Sequence, residues 1–213
     1  MFLPHNEYIH QDTEKNQICT HHTVSNPVSG AKGVWNWWTT DKGKKRIATT
    51  YVIDIDGKIF LFIPFNFWGH HLGIKDPRNT KLNQGCIGIE FVSWGGLVEK
   101  QGQLYIAGAW KHGGFQAGGL RVDRKTAIEL EKPYRNFKFY QRYTDAQLES
   151  FRKLALYLNK KHQKITLDYN ADMWDVSERA LNGESGIWTH NSYRADKADC
   201  YPDEKMITIL KNF

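Results

Sequence analysis

"IATTYVIDIDGKIFLFIP", residues 47–64, holds two β-rich runs on either side of Asp56-Gly57, a dipeptide that favours a tight hairpin turn. This hairpin decides the fold class, because the rest of the chain alternates strands with helices. "QICTHHTV" (17–24) reads as a short buried strand with a polar end, and "GCIGIEFVSW" (85–94) as another that carries one carboxylate, Glu90. Thr144-Asp145-Ala146-Gln147 is a capping box. Behind it Leu148, Phe151, Leu154, Ala155 and Leu158 recur at helical spacing through about Lys161. "ITLDYN" and "GIWTHN" bracket a further helix near 172–182, and "DEKMITILKNF" closes the chain as a short one. An antiparallel hairpin set among alternating strands and helices disfavours a purely parallel sheet. The prediction is an α/β fold with a central mixed β-sheet flanked by helices. Two segments read as less regular: 30–46, a loop with one helical turn around a Trp cluster, and 95–140, a strand pair around "GQLYIAGAW" followed by a long excursion.

A chain of 213 residues is long enough for one hydrophobic core, so one domain over 1–213 is expected, with no separate second domain. Hydrophobic residues at 40% and aromatics at 14%, with 8 Trp, argue against disorder. The formal charge of +6 and pI near 9.1 give a surface that attracts polyanions, but no dense Lys/Arg run marks a nucleic-acid groove. No nucleic-acid or membrane partner is therefore expected, and a monomer is. No window is long and apolar enough to span a bilayer. The start, "MFLPHNEYIHQDTEKNQ", lacks a basic region followed by an apolar one, which predicts synthesis in the cytoplasm without a signal peptide. Three cysteines, Cys19, Cys86 and Cys200, are an odd and sparse set that implies no disulfide framework.

The chemistry concentrates in "GIWTHNSYRADKADCYPD" (186–203), which sets a histidine, a lysine, aspartates and a cysteine close together after a strand. A catalytic zinc site takes three protein ligands of His, Cys or carboxylate type and leaves the fourth position to water. His190 supplies one candidate from a strand end, and Asp199 or Cys200 a second from the following loop. "THHT" (20–23), at another strand end, is the natural source of the third. The ordinary alternative is a solvated polar tail with unrelated histidines, of which the chain has 9.

"QICTHHT", "GHHLG", "NQGCIGIEF" and "THNSYRADKADCYPD" resemble, in this order, the motif blocks of the zinc-dependent N-acetylmuramoyl-L-alanine amidases. That is the amidase-2 family, related to the peptidoglycan recognition proteins, and the likeness to phage endolysins of the family spans nearly the whole chain. The resemblance implies hydrolysis of the amide between N-acetylmuramic acid and L-alanine in peptidoglycan, with Zn²⁺ as cofactor, the cell wall as site of action and muropeptide as partner. It implies His21, His190 and Asp199 as metal ligands, with Cys200 the runner-up and His22 a structural neighbour. Glu90 matches the glutamate near the metal water, suited to general acid–base work, and Lys197 the oxyanion-stabilising lysine. His71, with His70 competing, is assigned to substrate. Asn83 goes to the same side, pinning the strand or contacting peptide.

The residues also depart from the family. Thr49 and Thr50 stand where many relatives carry a histidine or tyrosine, and the 95–140 excursion is longer than in minimal relatives. A non-catalytic peptidoglycan-binding module is the alternative of a different class, and the presence of Asp199 argues against it. A thiol hydrolase using Cys86 or Cys19 has no local nucleophile signature, and both cysteines sit in apolar strands. The tryptophans around Trp35, Trp37, Trp38 and Trp68 are candidates to line a glycopeptide groove, but most of them are assigned to core.

Overall fold

In the computed structural model, which describes residues 1–213, β1 (Gln17–His22) is the second strand of a five-stranded sheet. After α1 (Gly30–Trp38), the 47–64 stretch forms the hairpin of β2 (Tyr51–Ile53) and β3 (Ile59–Leu61). Its turn is closed by the Gly57 N–H donating to the Asp54 carbonyl at 2.9 Å, with Gly57 at φ +83°. A Cβ there would also lie 2.8 Å from the Ala146 carbonyl oxygen, so glycine is required twice. The helix α2 (Arg78–Gly85) leads directly into β4 (Cys86–Phe91).

The chain then departs from the expected strand pair. Residues 95–141 build a second five-stranded sheet from β5 (Gly96–Lys100), β6 (Gln103–Lys111), β7 (Gly114–Val122), β8 (Ala127–Tyr134) and β9 (Phe137–Gln141), in the order β7-β6-β5-β9-β8. Three of its connections are two-residue turns with both residues at positive φ: Gln101-Gly102, His112-Gly113 and Arg135-Asn136. That geometry matches the twist of paired antiparallel strands. The remaining elements are α3 (Asp145–Lys161), α4 (Glu178–Leu181), β10 (Gly186–Thr189) and α5 (Glu204–Lys211). The helix expected near 172–182 is thus a single 3-10 turn at Ala171–Trp174 followed by the short α4.

The first sheet has the order β10-β1-β4-β2-β3, with β10, β1, β4 and β2 parallel and β3 antiparallel at the edge. It is the mixed sheet that the hairpin predicts. Strand β1 is buried along its whole length, as expected of a parallel strand covered on both faces. On one side α3 lays down Leu148, Phe151, Leu154, Ala155 and Leu158 in a core that also takes Phe137 and Tyr140 from the second sheet. On the other, α1 contributes Ala31 and Val34 to a smaller cluster with Leu3, Tyr8, Val52 and Phe62. No helix is long and apolar enough to cross a membrane.

The helix α1, at nine residues, replaces the loop expected over 30–46. Its start is held from a distance: the Asp54 carboxylate in the β2–β3 turn accepts the Ala31 N–H at 2.9 Å. A negative charge there also suits the positive end of the helix dipole. The capping box of α3 forms as predicted, with Thr144 Oγ1 accepting the Gln147 N–H at 3.0 Å and Gln147 Oε1 accepting the Thr144 N–H at 3.1 Å. Gln147 does more than cap. Its buried Nε2 donates to the Ile53 carbonyl at 3.2 Å and the Val92 carbonyl at 3.0 Å, tying α3 to two strand ends. A Gln147→Ala variant leaves two carbonyls without this donor and is expected to lose roughly 2–3 kcal/mol of stability, read from the urea midpoint. An unchanged midpoint would show that water satisfies those carbonyls instead.

Candidate metal centre

Strand register builds the site. Pairing of β1 with β4 sets His21 opposite Glu90, and pairing of β1 with β10 runs from Gln17↔Gly186 to Thr20↔Thr189. His190 is the next residue after Thr189, so it extends the same row. In-register residues of parallel strands share a face, and His190, His21 and Glu90 come side by side at the carboxyl ends of three strands. Crevices for ligands in open α/β sheets lie beyond those ends.

The loop after β10 then returns Asp199 to the row. His21 Nδ1 lies 3.0 Å from His190 Nδ1 and 3.1 Å from Asp199 Oδ2, and His190 Nδ1 lies 2.9 Å from the same oxygen. The outer ring nitrogens show why these atoms face one another. His190 Nε2 donates to the Leu72 carbonyl at 2.9 Å, which leaves its Nδ1 as a lone pair. His21 Nε2 stands 3.0 Å from His71 Nδ1, and His71 Nε2 reaches the Cys86 carbonyl at 3.4 Å. This network assigns the N–H of His71 to Cys86 and the N–H of His21 to His71, so the Nδ1 of His21 is also a lone pair.

Charge agrees with that tautomer assignment. Burial, helped by His190, lowers the His21 pKa to about 4, so the ring is neutral at pH 7. Two imidazole lone pairs and one carboxylate oxygen therefore converge with no hydrogen to share. Such a donor set fits a cation. Tetrahedral zinc with bonds of about 2.0–2.1 Å separates its ligand atoms by roughly 3.3 Å, slightly wider than this triangle.

Glu90 sits beside the row at 9% exposure, and its buried Oε2 has no hydrogen-bond partner. Burial first, then the charge of Asp199, pushes its pKa well above the usual value, against the pull of Lys197. Lys197 lies half-buried on the same loop, and its side chain makes no hydrogen bond or ion pair within the chain. A cavity of about 440 Å³ opens over Glu90, walled by Thr23, Val24, Ser29, Trp37 and Trp38. Of the tryptophans around 35–38 and 68 only Trp68 is buried; Trp35 and Trp38 pack half-buried against the smaller cluster and Trp37 is 73% exposed on the cavity wall, so the expectation that most are core does not hold.

The other assigned residues fall around the centre. Cys200, adjacent to Asp199, turns its thiol into the main core and takes no place in the triangle. His22 is buried with its Nδ1 3.2 Å from the Tyr143 hydroxyl. The ring of His70 packs edge-on against Trp68. His71 backs His21. Asn83 is fully buried, its Oδ1 accepting the N–H groups of His71 at 2.8 Å and Leu72 at 3.1 Å while its Nδ2 donates to the Asn79 carbonyl at 2.7 Å. It offers a substrate no surface, so the peptide contact assigned to it gives way to its pinning role. It fixes the loop whose Leu72 carbonyl orients His190. Gly88, passed over in the sequence, lets this loop approach β4: a Cβ there would stand 2.7 Å from Thr49 Cγ2 and 3.1 Å from His71 Nδ1. A glycine inside a strand is the signal that marks such a close approach.

Residues 11–202 match the family model described as N-acetylmuramoyl-L-alanine amidase. Among solved structures the chain is similar to the Ph2119 endolysin from Thermus scotoductus MAT2119 bacteriophage Ph2119, at 13% identity and a TM-score of 0.51 over 99% of each chain. It is also similar to peptidoglycan recognition protein-LE, solved in complex with tracheal cytotoxin, at 12% identity and a TM-score of 0.50 over 99% of this chain and 87% of that one. At these identities the likeness is one of fold. No curated protein sequence matches the chain. The family match covers nearly the full length and takes in every residue of the centre, and on that ground the chain belongs to the Amidase_2 family of N-acetylmuramoyl-L-alanine amidases.

Proposed function

We propose that the protein is a zinc-dependent hydrolase that cleaves the amide between the lactyl group of N-acetylmuramic acid and L-alanine, an endolysin-like activity on the cell wall. The whole chain acts as one catalytic unit. The observation that carries this reading is the triangle of His21 Nδ1, His190 Nδ1 and Asp199 Oδ2, with sides of 2.9–3.1 Å. Those three residues would hold Zn²⁺. When bound, the ion would bring the pKa of a coordinated water near neutrality and polarise the scissile carbonyl.

The remaining work falls to the chain. Glu90, adjacent to His21 across the sheet, takes a proton from the attacking water and delivers it to the departing L-alanine nitrogen. Its desolvated carboxyl has the raised proton affinity that both transfers need. The Lys197 ammonium, with no partner of its own, faces the negative charge that gathers on the carbonyl oxygen. His71 holds the His21 ring in its metal-binding tautomer. The cavity over Glu90 receives the substrate, with Trp37 as an exposed aromatic wall.

Mass spectrometry of digested peptidoglycan tests the reading. New amino-terminal alanine is expected with the zinc-loaded protein and not after treatment with EDTA. A fold shared with a recognition protein solved on a muropeptide keeps a second reading open, binding without cleavage. Retained muropeptide with no new amine at any zinc concentration would establish that reading in place of the first.

A further inference from the structure

The β5–β9 sheet supplies no side chain to the centre, yet one of its turns reaches the loop that carries Asp199. Arg135 and Asn136 form the two-residue turn between β8 and β9, closed by the pair Tyr134↔Phe137, with φ values of 47° and 73°. Such turns favour Asn-Gly, and arginine is disfavoured in the left-handed region. The side chain at this unfavourable position is only 18% exposed. One arm of its guanidinium, Nη1, donates to the Ala195 carbonyl at 2.9 Å, and the other, Nη2, donates to Asp175 Oδ1 at 2.6 Å.

The Ala195 carbonyl matters because the loop has few other ties. Within residues 194–199, the backbone N–H groups of Arg194 and Lys197 bond only to the adjoining His190 and to Arg194, and the Ala195 carbonyl is the one backbone group held by a distant part of the chain. From within the loop, Arg194 Nη1 donates to the Gly73 carbonyl at 3.0 Å. The loop thus hangs between two arginine braces. The one from the second sheet grips it two residues before Lys197 and four before Asp199.

The geometry points to Arg135 as a positioning residue of the metal centre: it fixes the 194–199 loop so that Asp199 meets His21 and His190. The added sheet therefore serves as a scaffold for the loop. This rests on the metal reading given above. A ligand loop must hold its geometry within about 0.5 Å, and loss of an outer partner typically weakens metal binding about 10- to 100-fold.

The test measures Zn²⁺ affinity of the full-length protein by competition with a chromophoric chelator, alongside kcat, KM and the melting temperature of the metal-free form. Arg135→Ala is expected to weaken zinc about 10-fold or more and to lower kcat with little change in KM. Arg135→Lys, which keeps a donor for Ala195 but not the fork, should recover part of the affinity. Asn136→Gly changes the turn without touching the brace and should bind zinc as the wild type does. Wild-type zinc affinity in Arg135→Ala, with or without a lower melting temperature, overturns the inference, as does an equal loss in Asn136→Gly. Wild-type protein that takes up no zinc would sink the metal reading itself and this inference with it.

Discussion

His190→Ala is expected to leave the fold intact and to lose both zinc and amide hydrolysis. Structural zinc binding amounts to about 10–16 kcal/mol at neutral pH, so one of three ligands carries on the order of a third, or about 10²- to 10⁴-fold in affinity. His190 is the most telling ligand to remove because its orientation is set by a backbone carbonyl, that of Leu72, and not by another titrating side chain. Metal content by atomic absorption, activity on muropeptide and far-ultraviolet circular dichroism separate the outcomes. One zinc per chain together with undiminished turnover in His190→Ala would refute the centre.

The same centre predicts a pH dependence in the metal-free protein. Burial holds the His21 pKa at about 4, below the value of about 6.5 expected in the unfolded chain. Below pH 6.5 the unfolded chain therefore binds a proton that the folded state refuses. Stability from this group is complete above about pH 6.5 and falls as pH drops towards 4, by a total of roughly 3 kcal/mol. Bound zinc should raise stability across this range and, because it keeps the proton off His21 in the folded state, carry the loss on below pH 4. Urea midpoints of the metal-free and zinc-loaded forms across pH 4–7 measure both curves, and superimposed curves would contradict the convergence of His21 on a metal.

Residues whose partners are near in sequence, or whose register follows from strand period, were legible from the chain. The 47–64 hairpin, the Thr144 cap and the strand-end placement of His21 and His190 belong to this group. What escaped depends on distant partners. The α1 N-terminus takes its cap from Asp54, 23 residues later, so 30–46 carries no local start signal beyond a glycine-rich run. The third hairpin of the second sheet turns on Arg135-Asn136, a pair with no turn signature, whose compensating contacts lie 40 and 60 residues away. Asn83 is an exposed-type residue at a helix end until the fold brings the 71–72 loop onto it. His71 is likewise ambiguous from sequence, since only the position of His21 Nε2 shows that it backs the first ring.

Glu90→Gln should inactivate the enzyme and stabilise it in the same step. The amide keeps the size and shape of the carboxyl but cannot take a proton from water, and loss of a general acid–base costs about 10²- to 10⁴-fold in rate. Stability moves the other way because the carboxylate is held where folding opposes its charge: nearly buried, with Oε2 unpartnered and Asp199 close by. The folded-state pKa of Glu90 lies above its unfolded value, so wild-type stability is complete below about pH 4.5 and falls as pH rises through the folded pKa. The amide variant carries no such loss. It and the wild type, both stripped of metal, should therefore match near pH 4 and diverge as pH rises, by about 1–3 kcal/mol once Glu90 is ionised. A pair of urea titrations, at pH 4 and pH 8, reads this gap directly. Equal midpoints at both would mean that solvent reaches the carboxylate, and undiminished turnover would remove it from the reaction. Both effects together would identify Glu90 as a side chain whose place in the sheet costs stability in return for its proton chemistry.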